Sequence, residues 1–144
     1  MKLRTVIYGL VFVALAGCAH LREHEAHAQR GPVDITRPQV NVVKGKIVID
    51  QETIVFGKGL PKGAINITWE LPKGSKYRFP KDGIVFVDDA GEFARCGPVM
   101  NGAHYMCVNQ RTKAGRFKYN IKVEPRDSSV PPVPPLDPIA VNDF

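Results

Sequence analysis

Apolar and polar positions alternate strictly between residues 65 and 71. Ile65, Ile67, Trp69 and Leu71 fall on one side, and Asn66, Thr68 and Glu70 on the other. Residues 117–123 repeat the pattern, with Phe117, Tyr119, Ile121 and Val123 set against Lys118, Asn120 and Lys122. Successive side chains leave a pleated backbone on opposite faces, so a period of two predicts a strand with one face buried and one wet. The apolar members of both segments are the expected inward face, each side chain contributing roughly 1.5–3 kcal/mol when buried. Shorter β-branched or aromatic runs predict further strands over residues 40–43, 46–50, 53–56, 84–87, 92–96 and 104–108. Turn signals separate them: Lys44-Gly45, Gly57-Lys58-Gly59, Pro72-Lys73-Gly74, Asp82-Gly83, Ala90-Gly91, Asn101-Gly102 and Ala114-Gly115. No segment after residue 30 carries a convincing helical period. Short strands at this spacing predict an all-β fold, a small antiparallel β-sandwich of immunoglobulin-like architecture.

The chain opens differently. Lys2 and Arg4 precede a mostly apolar run over residues 5–16, ending in Leu15-Ala16-Gly17-Cys18. That run is too short to span a bilayer, which takes about 20 residues, and suits the apolar region of an export signal. Ala26-His27-Ala28 also fits a cleavage pattern, but charged residues separate it from the apolar run. Leu15-Ala16-Gly17-Cys18 resembles the lipobox of bacterial lipoproteins. The resemblance implies a leader over residues 1–17 and a diacylglycerol thioether plus an amide-linked acyl chain on Cys18. Two or more acyl chains anchor a protein stably where one does not. In Gram-negative lipoproteins of that class an Asp after the cysteine favours retention at the inner membrane; Ala19 stands there instead, so the resemblance implies the outer membrane of the cell envelope.

With Cys18 carrying lipid, Cys96 and Cys107 remain out of three cysteines. An oxidising exported compartment makes a disulfide between them the natural reading, with two buried free thiols as the alternative. Asn101-Gly102 lies midway between them and is a tight-turn signal. A hairpin turning there would bring their Cα atoms to about 4.4–6.8 Å.

Removal of residues 1–17 leaves 127 residues, enough for one domain, and takes Lys2 and Arg4 but no acid, so the formal charge falls from +6 to +4. Residues 18–38 read as a lipidated N-terminus and tether, residues 39–124 as the sandwich domain and residues 125–144 as a proline-rich tail. Prolines there favour extended structure and exclude helix. Leu136, Ile139 and Val141 stand out as apolar in a polar context, and the tail is expected to dock on the domain in part. The basic residues are scattered over turns and alternate strand positions. They read mainly as a solvated polar face, with a mild attraction to anionic envelope surfaces as the alternative. No nucleic-acid-binding motif is present.

Tyr105-Met106-Cys107 and Trp69 are similar to the Tyr-x-Cys and core tryptophan of immunoglobulin domains. There the first cysteine precedes the tryptophan, whereas Cys96 follows Trp69, so the architecture is expected without the kinship. A wider pattern, in "ITWEL", "YRFPKDGIVF", "EFARC", "YMC", "GRFKYNIKV" and "LDPIAVN", resembles small uncharacterised proteobacterial lipoproteins. It spans residues 48–142 and implies a fold but no mechanism.

Chemistry-bearing patterns are sparse. His20, His24 and His27 cluster in the tether and read as a polar spacer rather than a metal site. His104 is the only histidine and Ser75 the only serine of residues 39–124, and no G-x-S-x-G surrounds the serine. Asp82, Asp88, Asp89 and Glu92 form an acidic group that departs from calcium-loop spacing. A carboxylate pair for glycoside hydrolysis is left open, because spatial separation decides it. Asn66-Ile67-Thr68 fits a glycosylation sequon within an expected strand. No catalytic residue, metal or cofactor is therefore assigned. The expected function is a non-enzymatic, membrane-anchored binding or structural module for an envelope protein or cell-wall polymer. The alternative is an envelope enzyme or enzyme inhibitor acting through the sandwich loops.

Overall fold

The computed structural model describes residues 34–144. The expected leader, Cys18, the second cleavage pattern, and His20, His24 and His27 lie outside the described residues. Eleven strands and no helix occur among those described.

The first sheet is built from the alternating segment at its edge. It contains β4 (Ile65–Glu70), β8 (His104–Asn109) and β7 (Phe93–Val99), in that antiparallel order. The second has the order β3 (Thr53–Phe56), β11 (Ile139–Asn142), β9 (Gly115–Ile121) and β6 (Ile84–Phe86). All pairings are antiparallel except β3 with β11, which run parallel. Two short ribbons complete the fold. One joins β1 (Val40–Val43) to β2 (Lys46–Ile49), the other β5 (Tyr77–Arg78) to β10 (Glu124–Pro125).

The two larger sheets face each other across an aromatic layer. Trp69 of the first sheet packs on Tyr119 and Phe86 of the second, with ring centroids 5.5 and 6.2 Å apart. Phe93 stacks on Phe86 and meets Phe117 edge-on. Trp69 and Tyr119 are both fully buried, and the indole N–H donates to the Tyr119 hydroxyl at 3.4 Å. Burial pushes the Tyr119 phenol far above its ordinary range. Of the expected inward face, Ile67, Trp69, Leu71, Phe117, Tyr119, Ile121 and Val123 are buried. Ile65, near the open end of the sheet, is half-buried. The fold is thus the expected small β-sandwich, with one parallel pairing.

Packing extends past both expected domain boundaries. Upstream of residue 39, Thr36 and Pro38 carbonyls accept the Thr68 and Glu70 N–H groups at 2.8 and 3.0 Å. Pro38 is fully buried there, so this short segment closes the outer edge of β4. Downstream of residue 124, Val130, Val133 and Leu136 pack against the core. The Tyr77 hydroxyl donates to the Pro131 carbonyl at 2.9 Å. Residues 139–142 then become an inner strand. Its side chains point opposite to the apolar reading: Ala140 and Asn142 are buried, while Ile139 and Val141 stand half-buried on the outer face. A small residue fits inward because Ala140 lies level with Phe117 and Ile54, which already fill that layer.

Candidate functional site

The β7–β8 hairpin carries the disulfide. Cys96 and Cys107 are bonded, with Cα atoms 4.2 Å apart, just below the expected separation. They do not sit in plain register. Ala94 pairs with Val108 and Gly97 with Met106, so Arg95 and Cys96 together oppose Cys107. This is a β-bulge, and Arg95 takes the left-handed φ of 53° that the extra residue requires. The strand predicted to end at residue 96 continues to Val99. Pro98 is compatible with this because β7 is an edge strand, where one N–H is not needed by a neighbour.

Past the bulge the hairpin ends in a left-handed turn. Met100, Asn101 and Gly102 have φ of 50°, 54° and 72°. Gly102 N–H donates to the Val99 carbonyl and Ala103 N–H to the Met100 carbonyl, both at 3.1 Å. A left-handed conformation costs roughly 1–2 kcal/mol for a residue with a Cβ, so Met100 is held there by its surroundings. Two contacts brace the turn beside it. The Gly102 carbonyl accepts the Phe79 N–H at 2.8 Å, and Arg126 donates to the carbonyls of Tyr77 and Asn101 at 3.1 and 3.3 Å. The result is a braced tip whose Met100 side chain is 70% exposed, the most exposed large apolar group among the described residues.

A hollow opens on each side of Met100. One, of about 510 Å³, is lined by Leu71, Lys73, Ser75, His104 and Arg126 as well as Met100. The other, of about 310 Å³, lies among Arg78, Lys81, Pro98, Asn101 and Glu124. Lys73, Arg78, Lys81 and Arg126 give the region positive character, with Arg78 bonded to Glu124 at 2.7 Å. His104 lies opposite Glu70 in the β4–β8 register. Burial pushes the Glu70 carboxyl up, but Gln39, Arg37 and His104 together outweigh it and hold the group below its usual range. Ser75 Oγ accepts the Tyr77 N–H at 3.2 Å, a turn contact.

The acidic group of the sequence does not gather around His104. Asp82 pairs with Lys122 at 2.7 Å. Asp89 accepts N–H groups from Gly91 and Phe93 within its own turn, at 3.4 and 2.9 Å. Glu92 is buried, 1% exposed, beyond the far end of β8, where its carbonyl accepts the Gln110 N–H. At strand rise, six residues along β8 place that point about 20 Å from His104. Among the described residues no three His, Cys, Asp or Glu side chains lie close enough to share a metal ion.

Glu92 instead joins a buried polar cluster that sequence reasoning missed. Its Oε1 accepts the Thr112 N–H at 2.7 Å and the Asn142 amide at 2.9 Å, and its Oε2 accepts the Thr112 hydroxyl at 2.7 Å. Asn109 and Asn142 bond to each other at 2.7 and 3.3 Å. The cluster fastens β11 to the β8–β9 connection, a structural task. Nearby, the Arg111 guanidinium donates to the Pro61 and Gly57 carbonyls and lies over the Phe144 ring. A hollow of about 410 Å³ between Lys58, Leu60, Lys62 and these residues is shaped by that clamp. No protein-family model matches the chain, and no curated protein matches it.

Proposed function

We propose that this protein is an envelope lipoprotein, anchored through acyl chains on Cys18 and facing the periplasm or cell surface from the outer membrane. Its sandwich binds a macromolecular partner and performs no catalysis. The contact is the tip of the β7–β8 hairpin, and the partner is an envelope protein or cell-wall polymer. The observation that carries this reading is Met100, 70% exposed at a turn held in an unfavourable backbone conformation. Left-handed φ recurs at other turns of this chain, such as Lys44 and Asp88, so what sets Met100 apart is the combination of a strained backbone with a large exposed apolar side chain, a pairing that suits a contact site. The disulfide and bulge stiffen the hairpin, which lowers the entropy lost when a partner engages it. Four cations around the two hollows favour a partner with anionic groups. Anchoring would raise the effective concentration of the tip near envelope partners, so a weak contact suffices.

In-cell cross-linking with the intact chain tests the contact. A partner captured by the unaltered protein and by Val48→Asp, an exposed apolar position on β2, should be lost with Met100→Asp. Equal capture by both variants would remove the hairpin tip from the proposal. The anchor has its own measurement: a tagged fatty acid should label the protein and fail to label Cys18→Ser.

A further inference from the structure

The outer face of the four-stranded sheet has a composition unlike that of a solvated strand surface. Residues paired directly across strands share a face. Register therefore places Thr53 and Val55 of β3, Ile139 and Val141 of β11, and Arg116, Lys118 and Asn120 of β9 on one outer surface. Val85 of β6 stands opposite Asn120. Val87 continues that row, its N–H bonded to the Lys118 carbonyl. Val55, Val85 and Val87 are exposed, while Ile139 and Val141 are half-covered. Arg116 and Lys118 lie among these branched side chains, and their register partners on β11 are Val141 and Ile139. The acids of the neighbourhood are peripheral. Glu52 and Asp137 sit beside Thr53 and Ile139 at one rim, Asp88 follows Val87 and Asp143 follows β11 at the margins, and Asp82 is held by Lys122.

We propose that this face lies against the anionic headgroups of a membrane. Arg116 and Lys118 meet lipid phosphates, and Val55, Val85, Val87, Ile139 and Val141 meet the interfacial region beneath. The inference rests on the anchored reading for bringing the domain to a membrane, and on charge complementarity for the choice of face. Cations near an anionic surface each strengthen binding about fivefold and lose that effect with salt. Branched aliphatics between them add the apolar contact that a purely polar face lacks. Arg116 and Lys118 stand on an inner strand of the sheet, so both cations are presented from a rigid surface.

The full chain, expressed with its leader and purified in detergent, is reconstituted with vesicles of phosphatidylcholine alone or mixed with phosphatidylglycerol. Amine acylation followed by mass spectrometry reads exposure, with Lys44 in the turn between β1 and β2 as internal reference. Lys118 should react several-fold more slowly on the anionic vesicles than on the neutral ones. High salt or Arg116→Glu should restore its rate, with Lys44 unaffected. Equal Lys118 rates on both vesicles overturn the proposal, and flotation with both vesicles would then leave the anchored reading standing. Flotation with anionic vesicles alone, with Lys118 slowed, supports the face and sinks the anchor. Slow Lys118 labelling before any vesicle is added would mean that a second copy covers the face, and would also overturn the proposal.

Discussion

Single residues decide the conformation of the hairpin tip and the attachment of the last strand. Gly102 has φ of +72°, and a Cβ there would meet the Phe79 carbonyl oxygen at 2.8 Å and the Arg78 Cβ at 3.0 Å. Neither neighbour yields easily, because the Phe79 backbone is itself bonded to Gly102. Gly102→Ala should therefore cost about 2 kcal/mol or more in chemical denaturation, the left-handed penalty plus the clash. Gly45 has a similar φ of +74° with open space around it, and Gly45→Ala should cost only about 1 kcal/mol. Equal costs would show that close approach is unimportant at Gly102. Glu92 separates geometry from charge. A glutamine keeps one oxygen for Thr112 N–H and Asn142, and its amide can donate to the Thr112 hydroxyl, which rotates to accept. Glu92→Gln should stay within about 1 kcal/mol of the parent. Glu92→Ala leaves buried donors without acceptors at about 1–3 kcal/mol each, and should lose roughly 3 kcal/mol. If Gln is as damaging as Ala, the charge is what matters.

At the scale of elements, β11 holds the second sheet together. It lies between β3 and β9, so without it β3 has no ladder partner and the Glu92 cluster loses Asn142. Ending the chain after Pro135 should abolish the cooperative thermal transition, whereas removing Phe144 alone, with its contact to Arg111, should cost no more than about 1 kcal/mol. A truncated chain that melts like the parent would make β11 dispensable. This strand also marks where the sequence stops being legible. β4 and β9 are readable because their inward residues are large and apolar and their outward ones polar. β11 inverts that pattern, with Ala140 and Asn142 inward and Ile139 and Val141 outward, since its partners leave room only for a small side chain and a hydrogen-bonding one. Its parallel neighbour β3 lies more than eighty residues away, and such pairing leaves no local trace. β5 and β10 hold two residues each, too few for any period. The hairpin tip was legible in Asn101-Gly102 and the flanking cysteines. The extension of the left-handed turn to Met100 is not, because methionine carries no left-handed preference and the bonds that brace the turn, from Phe79 to Gly102 and from Arg126 to Asn101, come from distant segments. Glu92, Asn109 and Asn142 read as ordinary polar positions, since their partners come from three separated segments.

The whole molecule should weaken in acid, and the direction follows from its carboxylates. Thr36 holds Asp34 below its ordinary range, Lys122 does the same for Asp82, and Ser129 for Asp127. Glu70 is lowered too, despite burial, by Gln39, Arg37 and His104. A carboxyl whose folded-state pKa lies below its unfolded value of about 4 binds fewer protons in the fold. Its contribution is complete above that unfolded value and fades as pH falls through the lower, folded one. These four groups shift in one direction, so stability should be flat near neutrality and fall below about pH 4. Glu70 is the informative member, because its pair with Arg37 at 2.5 Å fastens the residue 34–39 segment to the edge of β4. Arg37 is 57% exposed, so the pair contributes under about 1 kcal/mol at neutral pH. Glu70→Gln should be slightly less stable than the parent at pH 7 and have a shallower acid limb. The two should converge near pH 2, where the parent carboxyl is also protonated. Denaturation midpoints across pH 2–8 provide the measurement. Parallel curves for parent and variant would mean that Glu70 does not titrate with folding, and that the entry of the chain into the sandwich is held by Pro38 and the backbone bonds alone.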